Sequence, residues 1–236
     1  MTARERLIVA LDFPSLHEAQ AIASLLKGRV GMFKVGLELL MSEGPAALRR
    51  LGENGAPIFC DAKLHDIPTT VGRAAAALAG LGCAMFNVHA MAGSAAMRAA
   101  RQESERAAAL AGKKRPLVIG VTVLTSLDDS DLAEMGITGG AAERAVRLAL
   151  LCRQAGLDGV VASPQEAAAV KSACGAGFLV VSPGIRPAAA AAGDQKRTLT
   201  PRQALAAGAD YLVIGRPITA APDPLQALEG IVAGME

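Results

Sequence analysis

Short apolar runs rich in Val, Ile and Leu alternate with Ala/Leu-rich amphipathic stretches along almost the whole of this chain. Apolar positions in the longer stretches recur with the helical period, whereas the short runs are continuous and have strand length. The runs at 7–11, 32–36, 57–62, 85–89, 117–124, 159–162, 179–182 and 211–215 are expected to be strands. Between them, 16–26, 46–51, 71–81, 95–110, 141–155, 164–173 and 201–206 read as helices. Eight strands, each followed by a helix, divide the 236 residues into units of about 29, close to the βα unit of a barrel of roughly 250 residues. Strands that are apolar throughout suit a parallel sheet covered by helices. The expected fold class is therefore α/β, a (β/α)8 barrel of the TIM type, as one domain over residues 1–236.

A doubly wound open sheet competes with the barrel, but it usually carries a Gly-rich turn after its first strand. Here that strand runs into Leu11-Asp12-Phe13-Pro14, and the turn is missing. No linker or low-complexity stretch divides the chain. The long irregular stretch 186–199 contains five consecutive alanines at 188–192. It reads either as a lid or binding loop or as a short extra helix.

Composition excludes several partners. Twenty-four basic and 22 acidic residues leave a formal net charge of only +2, so no global field favours nucleic acid or a membrane surface. Aromatic residues are 3% and Trp is absent, which leaves little for base stacking. Lys113-Lys114-Arg115 is a short basic cluster, read as a solvated loop. Cys60, Cys83, Cys152 and Cys174 are spread along the chain without a C-x-x-C pair, so neither a metal nor a disulfide framework is expected. Cys60 should pack as a small hydrophobe. No signal-peptide pattern opens the sequence and no apolar run reaches bilayer length, so a reduced cytoplasm is the expected compartment.

Functional groups of such a barrel lie at the C-terminal strand ends. In order these ends offer Asp12, Lys34, Asp61 with Lys63, His89, Thr125 with Ser126, Ser163, Arg186, and Gly215 with Arg216. Asp61 and Lys63 share one strand face, with Cys60 and Ala62 on the other. Opposite charges on the inner face of a buried strand are costly to desolvate, so the pair is either a structural ion pair or part of a site. Asp66 follows just before Pro68. Asp12, Lys34, Asp61 and Lys63 come from three adjacent strands and alternate in sign, which favours the charged form of each. Of the histidines, His17 is expected to be exposed, His65 to pack in a loop, and His89 to line the floor as a hydrogen-bonded core residue.

The segment Asp61-Ala-Lys63-Leu-His65-Asp66-Ile67-Pro68-Thr69-Thr70 resembles the D-x-K-x-x-D-I-P-x-T signature of the orotidine 5′-phosphate decarboxylase family. Its D-x-K-x-x-D core is shared with metal-dependent sugar-phosphate decarboxylases and synthases of the wider suprafamily. The Ile67-Pro68-x-Thr70 extension and the Gln195 loop favour the orotidine branch. The likeness continues through Val9–Asp12, Phe33–Gly36, Val121–Ser126, Ser182-Pro183-Gly184-Ile185-Arg186, Asp194-Gln195 and Ile214–Ile218.

This resemblance implies a decarboxylase of orotidine 5′-phosphate in pyrimidine synthesis that uses no cofactor and no metal. Lys63 would be the general acid at C6 and Asp61 would sit beside the departing carboxylate. Lys34 and Asp12 would hold the ribose hydroxyls. Thr125 and Ser126 would contact the pyrimidine. Pro183, Arg186 and Gln195 would close over the nucleotide, and Gly215 with Arg216 would take the phosphate. Asp66, Ile67 and Thr70 would reach into the site of a partner subunit, making the enzyme a homodimer with shared active sites.

Overall fold

Eight parallel strands close on themselves in the computed structural model, which describes residues 1–53, 55–186 and 198–235. They are β1 (Leu7–Ala10), β2 (Met32–Val35), β3 (Ile58–Leu64), β4 (Met85–His89), β5 (Leu117–Val121), β6 (Gly159–Val161), β7 (Leu179–Ser182) and β8 (Tyr211–Ile214). Each pairs with the next in sequence, and β1 with β8 closes the ring. The expected barrel is the observed one.

The helices among the described residues are α1 (Leu16–Leu25), α2 (Leu37–Glu43), α3 (Ala46–Gly52), α4 (Pro68–Gly80), α5 (Gly93–Leu110), α6 (Asp129–Glu134), α7 (Ala141–Gln154), α8 (Ala167–Cys174), α9 (Pro201–Ala206), α10 (Arg216–Thr219) and α11 (Pro224–Ala233). Their starts follow local chemistry. The Ser15 hydroxyl accepts from the Glu18 N–H at α1, and Asp128 and Thr200 form capping boxes at α6 and α9. Pro68 occupies the first turn of α4, where its missing N–H costs nothing, so this helix begins three residues before the expected 71. None of these helices is long and apolar enough to cross a membrane.

Strand alternation divides the core into two layers. Ile8, Ala10, Met32, Phe59, Met85, Ile119 and Val213 fill the barrel interior. Val9, Phe33, Phe86, Val160 and Ile214 face the helices. Phe33, Phe59 and Phe86, on β2, β3 and β4, are almost wholly buried. At about 1.5–3 kcal/mol for each large side chain removed from water, they anchor the strands that carry Lys34, Asp61 and Lys63. Cys60 faces outward, fully buried as expected, and folding brings Cys83 close to it.

The N-terminal end of the barrel is tied by a repeated device. Asp158, just before β6, accepts the Val118 N–H of β5 and both guanidinium arms of Arg115, at 2.7 and 2.8 Å. Asp210, just before β8, accepts the Val180 N–H of β7 and the Lys171 ammonium. Arg115 is thus not part of a solvated loop, whereas Lys113 and Lys114 are exposed.

Two strand ends differ from expectation by more than one residue. β5 stops at Val121 rather than 124, because the chain turns off through Val123 toward the barrel mouth after Thr122 has paired with Val161. β3 runs on to Leu64 rather than stopping at 62. Cys60 pairs with Phe86 and Leu64 with Val88, so Asp61, Ala62 and Lys63 stand opposite Asn87 alone. This is a bulge, and it bends the strand at the charged residues.

Candidate active site

A cavity of about 500 Å³ opens at the C-terminal end of the barrel. Its lower wall is apolar, formed by Ala10, Phe59, Val121, Val161 and Val213. Above them stand Asp12, Lys34, Asp61 and Lys63 in a chain of close contacts. The Lys34 ammonium lies 2.9 Å from Asp12 Oδ1 and 3.2 Å from Asp61 Oδ2. The Lys63 ammonium donates to Asp61 Oδ1 at 2.8 Å. Phe59, Asp61 and Lys63 face this cavity while Cys60, Ala62 and Leu64 face the helices, so the expected alternation persists through the bulge.

Electrostatics hold the two buried members of the array, Lys34 and Asp61, in their charged forms. Burial pushes the Lys34 ammonium down, but Asp61 and then Asp12 outweigh it and keep its pKa above the ordinary lysine value. Burial likewise pushes the Asp61 carboxyl up, and Lys34 followed by Lys63 more than reverses this, leaving it below the usual carboxylate range. Only the close spacing of opposite charges makes such burial tolerable.

Lys63 is the one non-glycine residue with positive φ among the described residues, at 51°. The left-handed region costs an L-residue with a long side chain roughly 1–2 kcal/mol. Such strain persists only where neighbouring contacts impose it, and it concentrates at functional sites. Gly36 follows β2 at the opposite side of the array. A Cβ there would lie 2.8 Å from Asp12 Oδ1 and 2.9 Å from Lys34 Nζ, so the absent side chain makes room for their ion pair.

The opposite rim is built by Thr125 and Ser126 after β5, Pro183, Gly184 and Arg186 after β7, and Gly215 and Arg216 after β8. Thr125 is buried and Ser126 exposed. The Arg186 N–H donates to the Leu199 carbonyl at 3.0 Å, and Ile185 bridges Leu199, which pins both sides of the long segment together. Gln195 and the alanine run at 188–192 lie outside the described residues. Gly215 is the N-cap of α10, so Arg216 leaves the strand on the first helical residue.

Ten of the expected site residues thus share one cavity: Asp12, Lys34, Asp61, Lys63, Thr125, Ser126, Pro183, Arg186, Gly215 and Arg216. Asp66, Ile67 and Thr70 do not line it. They are exposed, Ile67 by 66%, and the Asp66 carboxylate caps the Ile67 N–H at 2.6 Å.

Two other strand ends are corrected. His89 is not in the cavity floor. Its Nδ1 accepts the Met91 N–H and its ring stacks on His65, with centroids 5.0 Å apart. Ser163 is fully buried, and its hydroxyl oxygen accepts the Gln165 N–H to cap a short 3-10 turn. The inward polar residue of β4 is Asn87, which the sequence reading passed over although it interrupts the apolar run Met85-Phe86-Asn87-Val88. It is fully buried.

The model of the family described as orotidine 5′-phosphate decarboxylase / HUMPS matches residues 5–231. The chain belongs to this family. It is 51% identical over 237 residues to an orotidine 5′-phosphate decarboxylase of Moorella thermoacetica, covering 100% of this chain and 94% of that one. A decarboxylase of the same description from Nitrosococcus oceani is 50% identical, covering 98% and 97%. Among solved structures, the orotidine 5′-phosphate decarboxylase of Lactobacillus acidophilus superposes with a TM-score of 0.86 at 38% identity, covering 98% of each chain. An uncharacterized conserved protein from Geobacillus kaustophilus gives 0.85 at 42% identity, covering 98% of this chain and 100% of that one. Eight of the ten expected residues that share this barrel mouth are charged or polar.

Proposed function

We propose that this chain decarboxylates orotidine 5′-phosphate to uridine 5′-phosphate, with Lys63 as the proton donor at C6. The observation that carries the reading is the unbroken Asp12–Lys34–Asp61–Lys63 chain standing over an apolar floor. Breaking the bond between C6 and the carboxylate releases carbon dioxide and leaves the electron pair on C6, where resonance relieves it little. A fixed ammonium beside that carbon stabilises the developing charge and then supplies the proton, after which solvent reprotonates the amine. Asp61 lies beside the leaving carboxylate, and Lys34 with Asp12 hold the ribose hydroxyls.

The remaining contacts divide by chemistry. Thr125 and Ser126 hydrogen-bond the pyrimidine edge. Arg216 offers a planar fork to phosphate oxygens, Gly215 lets the backbone approach, and Pro183, Arg186 and Gln195 close over the nucleotide. Phosphate binding far from C6 then contributes to orienting the reacting carbon. Asp66, Ile67 and Thr70 complete the site of a second copy, so the working unit is a homodimer. Their exposure beside, rather than in, their own cavity supports that assignment. Each carboxylate of the array is already compensated by a lysine, which supports charge work by side chains without a metal or cofactor.

The test is the loss of orotidine 5′-phosphate absorbance with purified protein in excess chelator. Turnover is expected to survive. Activity abolished by EDTA and restored by Mg²⁺ would instead favour a metal-dependent sugar-phosphate chemistry on the same barrel.

A further inference from the structure

We infer that Asn87 is a positioning residue of this reaction, which sets both the backbone of Lys63 and the carboxylate of Asp61. The inference rests on the reading of Lys63 as the proton donor given above. Asn87 lies on the inner face of β4, fully buried between the barrel interior and the charged array. A primary amide in such a place is tolerated only if both its ends are engaged. Both are. Its Oδ1 accepts the Lys63 N–H at 2.7 Å, and its Nδ2 donates to Asp61 Oδ1 at 2.6 Å.

These two bonds fall where the sheet is interrupted. Three residues of β3 stand opposite Asn87 alone, so the Lys63 N–H lacks a ladder partner from β4 and takes the side-chain amide instead. That bond secures the left-handed backbone at Lys63, with φ at 51°. The other end of the amide meets the same Asp61 oxygen that accepts the Lys63 ammonium. Asn87 thereby bonds both the main chain of Lys63 and the acid that holds its ammonium. An amide is the group that can do this, because it accepts at one end and donates, uncharged, at the other.

Aspartate in its place would keep the shape and still accept from the Lys63 N–H, but would set a second carboxylate against Asp61. Two carboxylates sharing a site resist ionising together, and one then takes up a proton near or above its usual range. Once protonated, the new carboxyl can donate to Asp61 as the amide does. The charged groups bearing on this pair are Lys63 from β3 and Lys34 from β2, and the titratable ones at the rim are His65 and His89. β5 opposes it with Ile119 and Val121, which do not titrate.

The experiment compares Asn87→Asp and Asn87→Ala with the wild type in the full-length chain, following kcat, KM and binding of uridine 5′-phosphate across pH 4.5–8, with exchange of the Lys63 backbone amide by NMR. Positioning requires kcat at pH 7.5 to fall about 100-fold or more in both variants, with product binding held within about 3-fold. It also requires Asn87→Asp alone to regain at least about tenfold in kcat toward acid pH, and Lys63 amide exchange to accelerate in Asn87→Ala. A loss that is equal in kcat and in product binding and is independent of pH in Asn87→Asp would overturn the inference, as would wild-type kcat in either variant. Lys63→Ala run alongside separates the two readings. If it retains turnover, the proton-donor role fails; if it is inactive while the Asn87 variants keep wild-type kcat, only the positioning role fails.

Discussion

Asp61 divides its two carboxylate oxygens between two lysines, Oδ1 to Lys63 at 2.8 Å and Oδ2 to Lys34 at 3.2 Å. One acid therefore fixes both the ammonium assigned to the chemistry and the ammonium assigned to ribose binding. Its neighbours act as a unit, and the effects of changing them should not add.

Lys63→Ala is expected to remove nearly all turnover while leaving binding of uridine 5′-phosphate much less affected, because the ammonium is needed most when C6 carries charge. Single-turnover assays with product titrations check this. A variant keeping more than about a tenth of wild-type kcat, only ~1.4 kcal/mol of barrier, would exclude Lys63 as the acid.

The depressed pKa of Asp61 makes stability depend on pH. A carboxyl held lower in the folded state stabilises fully above its unfolded pKa of about 3.9 and loses that contribution as pH falls through this value toward the folded one. Asp61→Ala leaves Lys63 without its carboxylate and the buried Lys34 with Asp12 alone, and should cost about 3–5 kcal/mol at pH 7. Urea denaturation should show the gap to wild type narrowing below about pH 4. A gap that is constant from pH 7 to 3 would mean that the array does not depress this acid.

Arg216→Ala should raise KM for the nucleotide strongly and also lower kcat, yet matter far less with orotidine, which has no phosphate for the guanidinium to grip. Equal losses on the two substrates would make Arg216 a structural residue.

Gly36→Ala should disturb binding more than folding. The added Cβ would press on Asp12 and Lys34, and Asp12, with its side chain 53% exposed, is free to yield. KM is expected to rise several-fold with Tm nearly unchanged. An unaltered KM would show that the Asp12–Lys34 contact is not used in binding.

Mixing two inactive variants, Lys63→Ala and Asp66→Asn, tests the shared site. Random exchange makes about half the dimers mixed, each with one intact site, so roughly a quarter of wild-type activity should return. Verified subunit exchange without recovery would overturn sharing and leave the decarboxylase reading in place.

The barrel was legible because its strands are buried on both faces and read as uninterrupted apolar runs, and the site because charges at their ends stand out from that background. Asp12, Lys34, Asp61, Lys63 and Arg216 could be found in this way. Asn87 could have been found by the same contrast, as an amide within an apolar strand. The left-handed backbone of Lys63 could not, since it arises from a register shift between β3 and β4 that only tertiary pairing creates. His89 misled because position alone places it at a strand end, whereas its contacts with Met91 and His65 turn it to a local structural task. Helices such as α2 and α10 follow their strands after a single residue, Gly36 or Gly215, so their patterns merge with the preceding apolar run.

Asp158 and Asp210 grip neighbouring strands at the foot of the barrel, a full strand length from the charges at its mouth. Part of what ties the strands together thus lies outside the residues assigned to the chemistry. A change at Arg115, Lys171 or their acids loosens these strand ties while leaving every contact of the charged array in place.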